Sequence, residues 1–153
     1  VLVYLRNLNV CRLLCRKEGL FLSKIIDVFI IRHNGKFEKK SILNECSTLA
    51  KEIGCEWVQT VRPASAINGG IFNEEVIMLC DEEGRMKRNP KMNTIATSLY
   101  VGMPNATDYV VGDVVLCCLG DDSFESLDEN LEEVEMFCRY IKGLLKELRI
   151  LEV

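Results

Sequence analysis

The sequence is poor in histidine, the residue that most often serves in acid–base catalysis and metal binding. The 153-residue chain contains one histidine, His33, and one tryptophan. It also has none of the glycine-rich nucleotide-binding, serine-nucleophile or zinc-protease motifs. The eight cysteines form no C-x-x-C pair, so with a single histidine they do not make up a zinc ligand set. We therefore expect no metal site, no cofactor and no catalytic residues, which argues against an enzyme.

Long uninterrupted apolar runs are also missing. Residues 1–22 are rich in leucine, but Arg6, Arg12 and Arg16 interrupt them. A transmembrane helix needs about 20 predominantly apolar residues, and a signal peptide needs an unbroken apolar centre. A basic amphipathic helix is the physical alternative for this segment. We predict no membrane insertion and interpret most cysteines as free thiols in a reducing cytoplasm.

No methionine precedes Met78. Lys17, Glu18 and Gly19 can be encoded by a bacterial ribosome-binding sequence, and Leu22 by an alternative start codon shortly after it. We predict that residues 1–22 are a non-native or disordered leader and that residues 23–153 form a single domain. A start at Val1 is the competing hypothesis. The intact mass of protein expressed from its native gene distinguishes the two.

The composition is typical of a globular protein, with 48% hydrophobic and 27% charged residues. The formal net charge is −4, which argues against a general nucleic-acid binder. Most of the acidic surplus lies between Asp121 and Glu135. We therefore expect a protein or small-molecule partner rather than a nucleic acid.

Turn signals divide the first half of the chain into short elements. The β-branched run 24–32 predicts a strand, and Asn34-Gly35 predicts a hairpin that returns through FEKKSI. Apolar residues at helical spacing from 42 to 53 predict a helix that Ser41 caps and Gly54 ends. Residues 55–62 alternate as a strand, in which we expect Trp57 to be a core or seam residue.

The second half predicts two more buried strand regions and two helices. The strand regions are 74–80 and 107–120, the latter bent or divided at Gly112, and a short helix runs from Met92 towards Leu99. Apolar residues spaced by three and four predict a long amphipathic helix over 127–150. Ser126 and Glu129 have the spacing of a capping box at its start.

These elements predict an α+β fold. It comprises a small, mostly antiparallel sheet, one short helix after the first hairpin and a long C-terminal amphipathic helix. The last helix could pack on the sheet or pair with a second copy of the chain, and its wide apolar stripe favours sheet packing.

One segment resembles a known family. It combines the strand VIMLC, the acidic turn DEEGR, an Asn-x-x-Ala-Thr element at Asn93, Ala96 and Thr97, and the closing strand VVGDVVL. In these features the chain resembles domain-of-unknown-function family 3846 over roughly residues 24–135. The resemblance implies an origin in bacteria, phages or plasmids, and it carries no mechanism.

Two surfaces are candidates for binding. In the first, cations and polar groups could converge on a phosphate or nucleotide at a helix start. Its predicted residues are Arg85, Lys87, Arg88, Asn93 and Thr97. The alternative is a solvated basic loop. The second surface is the acidic start of the last helix, which could engage a protein partner or form a homodimer, or could simply be solvated. Its predicted residues are Glu129, Glu132 and Glu133.

We therefore expect a small cytoplasmic accessory protein of a phage or other mobile element. It would act by non-catalytic binding, with a small anionic or nucleotide-like ligand as the first hypothesis. A protein–protein interaction module built on the acidic C-terminal helix is the alternative. The sequence identifies neither the ligand, nor the partner, nor the biological process.

Overall fold

A computed structural model describes residues 24–63, 72–73, 75–101 and 108–151. The predicted leader, residues 1–22, lies outside these ranges. Six strands form one sheet. Five of them follow the order β2-β1-β5-β4-β3, and the sixth, the short strand β6, pairs with β5. Every recorded pairing is antiparallel. The strands are β1 Ile25–Ile31, β2 Phe37–Leu43, β3 Val58–Val61, β4 Val76–Asp81, β5 Val114–Leu119 and β6 Phe124–Glu125.

In the described part of the chain, three α-helices cover the two faces of the sheet. Helix α1, Cys46–Ile53, packs on one face, while α2, Thr94–Val101, and α3, Asn130–Glu147, pack on the other. Strands β4 and β5 are therefore buried on both faces, which explains why they are continuous apolar runs rather than alternating ones. The predicted α+β class, with a mostly antiparallel sheet and a long C-terminal helix, is confirmed.

The first hairpin forms as predicted. Strands β1 and β2 pair from Ile25 with Leu43 to Ile31 with Phe37. The turn requires Gly35, whose φ of 80° lies in the left-handed region that side chains disfavour. This hairpin places Arg32 and His33 at the end of β1, next to the start of β5.

Helix α1 begins later than predicted but ends where predicted. Ser41 lies in β2 and donates its hydroxyl to the Asp27 carboxylate, so it does not cap the helix. Gly54 closes α1 with φ 79°, and its N–H donates to the Ala50 carbonyl at 2.8 Å. The short predicted helix after Met92 is present as α2.

The predicted capping box of α3 is wrong. Helix α3 starts at Asn130 rather than 127, and Glu129 makes no capping hydrogen bond with its side chain. The Ser126 hydroxyl instead accepts the Asp27 N–H at 2.9 Å, and Leu127 N–H donates to the Asp27 carbonyl at 3.0 Å. The chain here is still following β1, so the serine is not available to the helix.

One further prediction is wrong. Trp57 precedes β3 and is 53% exposed, so it is not a core residue. Cys46 is disulfide-bonded and is not a free thiol. The other five described cysteines form no disulfide, in line with the prediction that most cysteines are thiols. Cys55 is partly buried, and the remaining four are buried: Cys80, Cys117, Cys118 and Cys138. Within the described residues, no helix is both long enough and apolar enough to cross the bilayer.

Candidate functional site

A pocket of about 310 Å³ opens beside the edge strand β3. The end of β4, the last turn of α2 and the segment 108–111 form its other walls. Its apolar lining is Val61, Cys80, Val110 and Val111. Its polar and aromatic lining is Gln59, Asp81, Glu82, Arg85, Tyr100 and Tyr109. The sequence alone did not indicate this pocket, because its walls come from four separate segments.

Arg85 is held in place at the pocket wall. It lies in the 3₁₀ helix Gly84–Met86 that follows β4. Its Nε donates to the Tyr109 carbonyl at 2.8 Å, and its Nη2 pairs with Asp108 Oδ1 at 2.5 Å. The guanidinium also stacks over the Tyr109 ring, 5.0 Å from the ring centroid. These contacts fix the orientation of one cation and one aromatic ring in the pocket.

The other predicted cations do not line the pocket. Lys87 Nζ lies 2.5 Å from the carboxylate of Asp81, whose side chain is only 7% exposed. The hydrogen bond to Asp81 raises the pKa of Lys87. The Lys87 ammonium is therefore paired with the Asp81 carboxylate. Arg88 is exposed and makes no recorded hydrogen bond or ion pair with the part of the chain that the structure describes.

Asn93 is buried, with 1% of its surface exposed. Its amide nitrogen donates to the carbonyls of Ile31 and Gly112, both at 2.9 Å. Its carbonyl oxygen accepts the Ala96 N–H at 3.0 Å, which caps the first turn of α2. This residue therefore joins the end of β1, the Gly112 turn and α2 rather than pointing into the pocket.

Thr97 is fully buried one turn further along α2. Its hydroxyl accepts the Val110 N–H at 2.9 Å and approaches the Val110 carbonyl at 3.4 Å. Because Val110 lines the pocket, Thr97 positions the pocket wall without contacting its interior. Of the five predicted ligand residues, the structure brings only Arg85 to the pocket surface.

The predicted acidic surface lies at the start of α3. Glu129, Glu132 and Glu133 are all exposed there. Next to them, a row of four exposed apolar side chains continues along the same helix. The sequence did not indicate that these side chains form a surface. We call it the α3 stripe, and its residues are Met136, Tyr140, Leu144 and Leu148.

A third cluster lies where β1 ends and β5 begins, and the sequence reading missed it. Arg32, half-buried, contacts three carboxylates. It makes two hydrogen bonds to Glu38, at 2.8 and 3.0 Å, and lies 3.2 Å from Glu52 and 3.1 Å from Asp113. Arg32 and Asp113 are 81 residues apart in the chain, so no local motif joins them.

His33 completes this cluster. Its N–H donates to Asp113 Oδ1 at 2.8 Å, and its ring Nδ1 lies 2.9 Å from the same oxygen. Partial burial acts to raise the pKa of Asp113. The hydrogen bonds from His33 and Arg32 outweigh this effect, so the pKa is lowered.

A carboxylate that orients a histidine is one part of an acid–base catalyst, which also needs a reacting partner within hydrogen-bond reach. The ring of His33 contacts Asp113, and the described contacts place no serine or cysteine nucleophile against it. We therefore read the cluster as a clamp that holds the β1–β2 hairpin to β5 and α1. The described residues also contain no group of three or more side chains placed to hold a metal ion.

The fold and the pocket together define a small α+β protein with a ligand-sized cavity at the edge of an antiparallel sheet. A family model described as "Domain of unknown function (DUF3846)" matches residues 26–142, and the chain belongs to this family. No curated protein and no solved structure matches the chain. The predicted family is thereby confirmed, and the function has to be argued from the site.

Proposed function

We propose that the protein binds a small nucleotide-like ligand, without catalysis, in the pocket beside β3. The observation that carries the proposal is the pocket itself, with a volume of about 310 Å³. Small-molecule sites are usually concave cavities of about 300–1,000 Å³ that are mostly apolar with a few placed polar groups. This pocket has a volume at the lower end of that range, and its lining combines apolar side chains with polar and aromatic ones.

The aromatic and polar lining residues favour a planar, polar ligand. Tyr100 and Tyr109 line the pocket, and aromatic rings stack on bases with little dependence on the base. Arg85 is already fixed over the Tyr109 ring, so little side-chain ordering is needed when a ligand arrives. The cations nearby are paired with Asp81 and Asp108, which disfavours a ligand recognised by negative charge alone.

Native mass spectrometry of protein purified gently from its own host, with no ligand added, is the first test. We expect a discrete extra mass on the folded protein. The informative variant is Arg85→Gln, because it removes the fixed cation of the pocket wall. The matched control is Arg88→Gln, because Arg88 is three residues away, exposed and outside the pocket lining.

The expected result is an extra mass on the wild type and on Arg88→Gln, with loss of it in Arg85→Gln. A bare wild-type protein would overturn tight ligand capture. So would an Arg85→Gln variant that keeps the ligand at the wild-type level. Circular dichroism on all three proteins shows whether the fold survives each substitution.

A second candidate function is favoured by the surface of α3. The acidic residues at its start and the α3 stripe beside them form an exposed patch with both charge and apolar area. Exposed apolar patches bordered by polar residues mark interaction sites more often than scattered apolar residues do. The alternative proposal is therefore a protein–protein interaction module built on the C-terminal helix.

We also propose that the protein acts in the cytoplasm as an accessory protein of a phage or other mobile element. The origin is supported only by the family resemblance described from the sequence. The location is supported by the five cysteines of the described residues that form no disulfide, because such thiols are ordinary in a reducing compartment, whereas the disulfide of Cys46 weighs against it. Alkylation of thiols in intact cells, followed by mass measurement, tests the location.

A further inference from the structure

An amide and a carboxylate are neighbours on one face of the β3–β4 ladder, and both line the pocket. The amide is that of Gln59, which lies directly opposite Cys80. The carboxylate is that of Glu82, whose N–H donates to the Trp57 carbonyl at 3.0 Å, so the ladder continues one residue beyond β4. Because side chains alternate along a strand, Glu82 shares a face with Cys80 and therefore with Gln59.

These two side chains present a hydrogen-bonding pattern that suits the edge of a nucleobase. A carboxylate only accepts hydrogen bonds, whereas an amide both donates and accepts them. In base recognition, glutamine pairs with the amino group and a ring nitrogen of adenine, and carboxylates accept from the amino group of cytosine. Gln59 and Glu82 therefore favour a base that carries an amino group. Uracil and thymine have a carbonyl oxygen in its place, which a carboxylate repels.

The charges around the pocket disfavour a phosphate group. Arg85 contributes a positive charge to the lining and is paired with Asp108. The lining residue Asp81 is paired in turn with Lys87. The lining also contains the Glu82 carboxylate. A phosphate would have to compete with Asp108 for the guanidinium and would approach further negative charges, which costs free energy.

Helix α2 borders the pocket with the end that is unfavourable for an anion. Tyr100, in the last turn of α2, lines the pocket. The C-terminal end of a helix carries the negative part of its dipole, whereas anions are stabilised at the N-terminal end. That other end of α2 is capped by Asn93, whose carbonyl oxygen accepts the Ala96 N–H at 3.0 Å. The part of α2 next to the pocket therefore favours a neutral group over a phosphate.

We propose that the pocket binds an amino-bearing nucleobase, alone or as its nucleoside, and discriminates against the phosphorylated forms. This inference rests on the ligand-binding function proposed above and names the class of ligand. Glu82 accepts a hydrogen bond from the amino group of the base, and Gln59 pairs with the adjacent part of its edge. Arg85 orients the Tyr109 ring and does not bind a phosphate. A cavity of about 310 Å³ is small for a ligand site, in keeping with a ligand that has no phosphate chain.

The experiment is isothermal titration calorimetry of the full chain with the four ribonucleosides, their free bases and their 5′-monophosphates. At least one compound with an amino-bearing base should bind about tenfold or more tightly than the matching uracil compound, because uracil has no amino group to donate to Glu82. The corresponding nucleoside should also bind about tenfold or more tightly than its own monophosphate.

Glu82→Gln tests the residue that carries the proposed discrimination. It keeps the size of the side chain and removes its charge, so the preferences over the uracil compound and over the monophosphate should both decrease. The matched control is Glu83→Gln, because Glu83 is the next residue, is exposed and lies outside the pocket lining. This control should retain both preferences. Circular dichroism shows whether each variant is folded, and the wild-type titrations test the ligand class without either variant.

Three wild-type results would overturn the inference: a monophosphate that binds as tightly as its nucleoside, a uracil compound that binds as tightly as the amino-bearing ones, or no binding by any of these compounds. A folded Glu82→Gln variant with unchanged preferences would also overturn it. The first two results leave the broader ligand-binding function standing, since a nucleotide-like compound still binds. That function fails separately, when the protein purified from its own host carries no extra mass.

Discussion

Asn93 joins three parts of the molecule that are distant in the chain. Both hydrogens of its amide and its carbonyl oxygen are used, towards β1, the Gly112 turn and the start of α2. Buried polar groups that lose their partners leave a desolvation cost behind. The sequence predicted that Asn93 contacts a ligand. Its position instead allows it to determine where a wall of the pocket lies.

We expect Asn93→Ala to lower the free energy of unfolding by roughly 2–4 kcal/mol, since it removes the α2 cap and leaves two carbonyls without that donor. Urea denaturation measures the change. Asn89→Ala is the control, because Asn89 is exposed and should change stability by no more than about 0.5 kcal/mol. Equal effects of the two substitutions would contradict the role given to Asn93.

Asp113 should make the protein sensitive to acid. Its pKa lies below the ordinary value of 3.8 in the folded protein. Its charged form therefore stabilises the fold above about pH 4, and this contribution is lost as the pH falls through the lowered folded pKa. We expect Asp113→Asn to cost about 1–3 kcal/mol at neutral pH, because Arg32 and His33 lose a charged partner.

The same variant should approach the stability of the wild type as the pH falls below the ordinary range of an aspartate and through the lowered pKa of Asp113, because the wild-type carboxylate is then protonated as well. Denaturation curves at a series of pH values measure this. Asp122→Asn, in an exposed loop, is the control. A difference between wild type and Asp113→Asn that does not change with pH would show that the carboxylate charge is not what stabilises the cluster.

At the scale of single elements, alanine substitutions at two glycines, one at the end of α1 and one inside α3, distinguish the cost of backbone conformation from that of steric contact. A Cβ would meet nothing within 4 Å at either Gly54 or Gly143. They differ in backbone, because Gly54 has φ 79° at the end of α1 and Gly143 is inside α3. Any difference between their alanine variants therefore comes from the backbone.

Gly54→Ala should destabilise the protein by about 1–2 kcal/mol, the cost of the left-handed conformation for a residue with a Cβ. Gly143→Ala should stabilise it by about 0.5–1 kcal/mol, the gain in helix propensity. Thermal denaturation of both variants, at a concentration low enough to keep the chain monomeric, measures the two changes. Effects of the same sign would contradict the backbone argument.

The sequence predicted the order and type of most elements because these depend on local signals, but it did not predict the two-residue strand β6. Asn34-Gly35 marked the first hairpin, Gly54 the end of α1, and β-branched runs the central strands. It did not predict which strands are neighbours. It also misassigned Ser126, whose hydroxyl bonds to a backbone 99 residues away rather than to the helix that follows.

The candidate site was less predictable for the same reason. Arg85 was identified by its charge, but the pocket walls come from four segments that only the tertiary fold brings together. The His33–Asp113 contact spans 80 residues, and nothing around either residue distinguishes it from an ordinary turn or strand start. Local spacing carries no information about such contacts.

At the scale of the whole molecule, the two helical layers remove several thiols from solvent. Burial raises the pKa of Cys138 to about 12 and that of Cys118 to about 11. Both should therefore remain thiols, and unreactive, at neutral pH. We expect iodoacetamide to leave them unmodified in the native protein and to modify both in denaturant, as measured by peptide mass mapping.

Cys55 is the internal comparison, because it is only partly buried and should be alkylated sooner. Modification of Cys138 in the native protein at the rate of Cys55 would indicate that α3 separates readily from the sheet. In that case, the stability of the molecule would not be shared evenly between its two layers.

The strand order has a consequence for how the chain is made. Strand β1 lies between the edge strand β2 and the central strand β5, with Phe29 opposite Leu116 of β5. During synthesis, β1 can pair with β2 as soon as β2 has emerged from the ribosome. Its other edge cannot pair until β5 has emerged as well. Folding that depends on such distant pairings is slow compared with helical bundles. The most apolar edge of the nascent sheet is therefore exposed for most of translation, when binding by a chaperone would matter most.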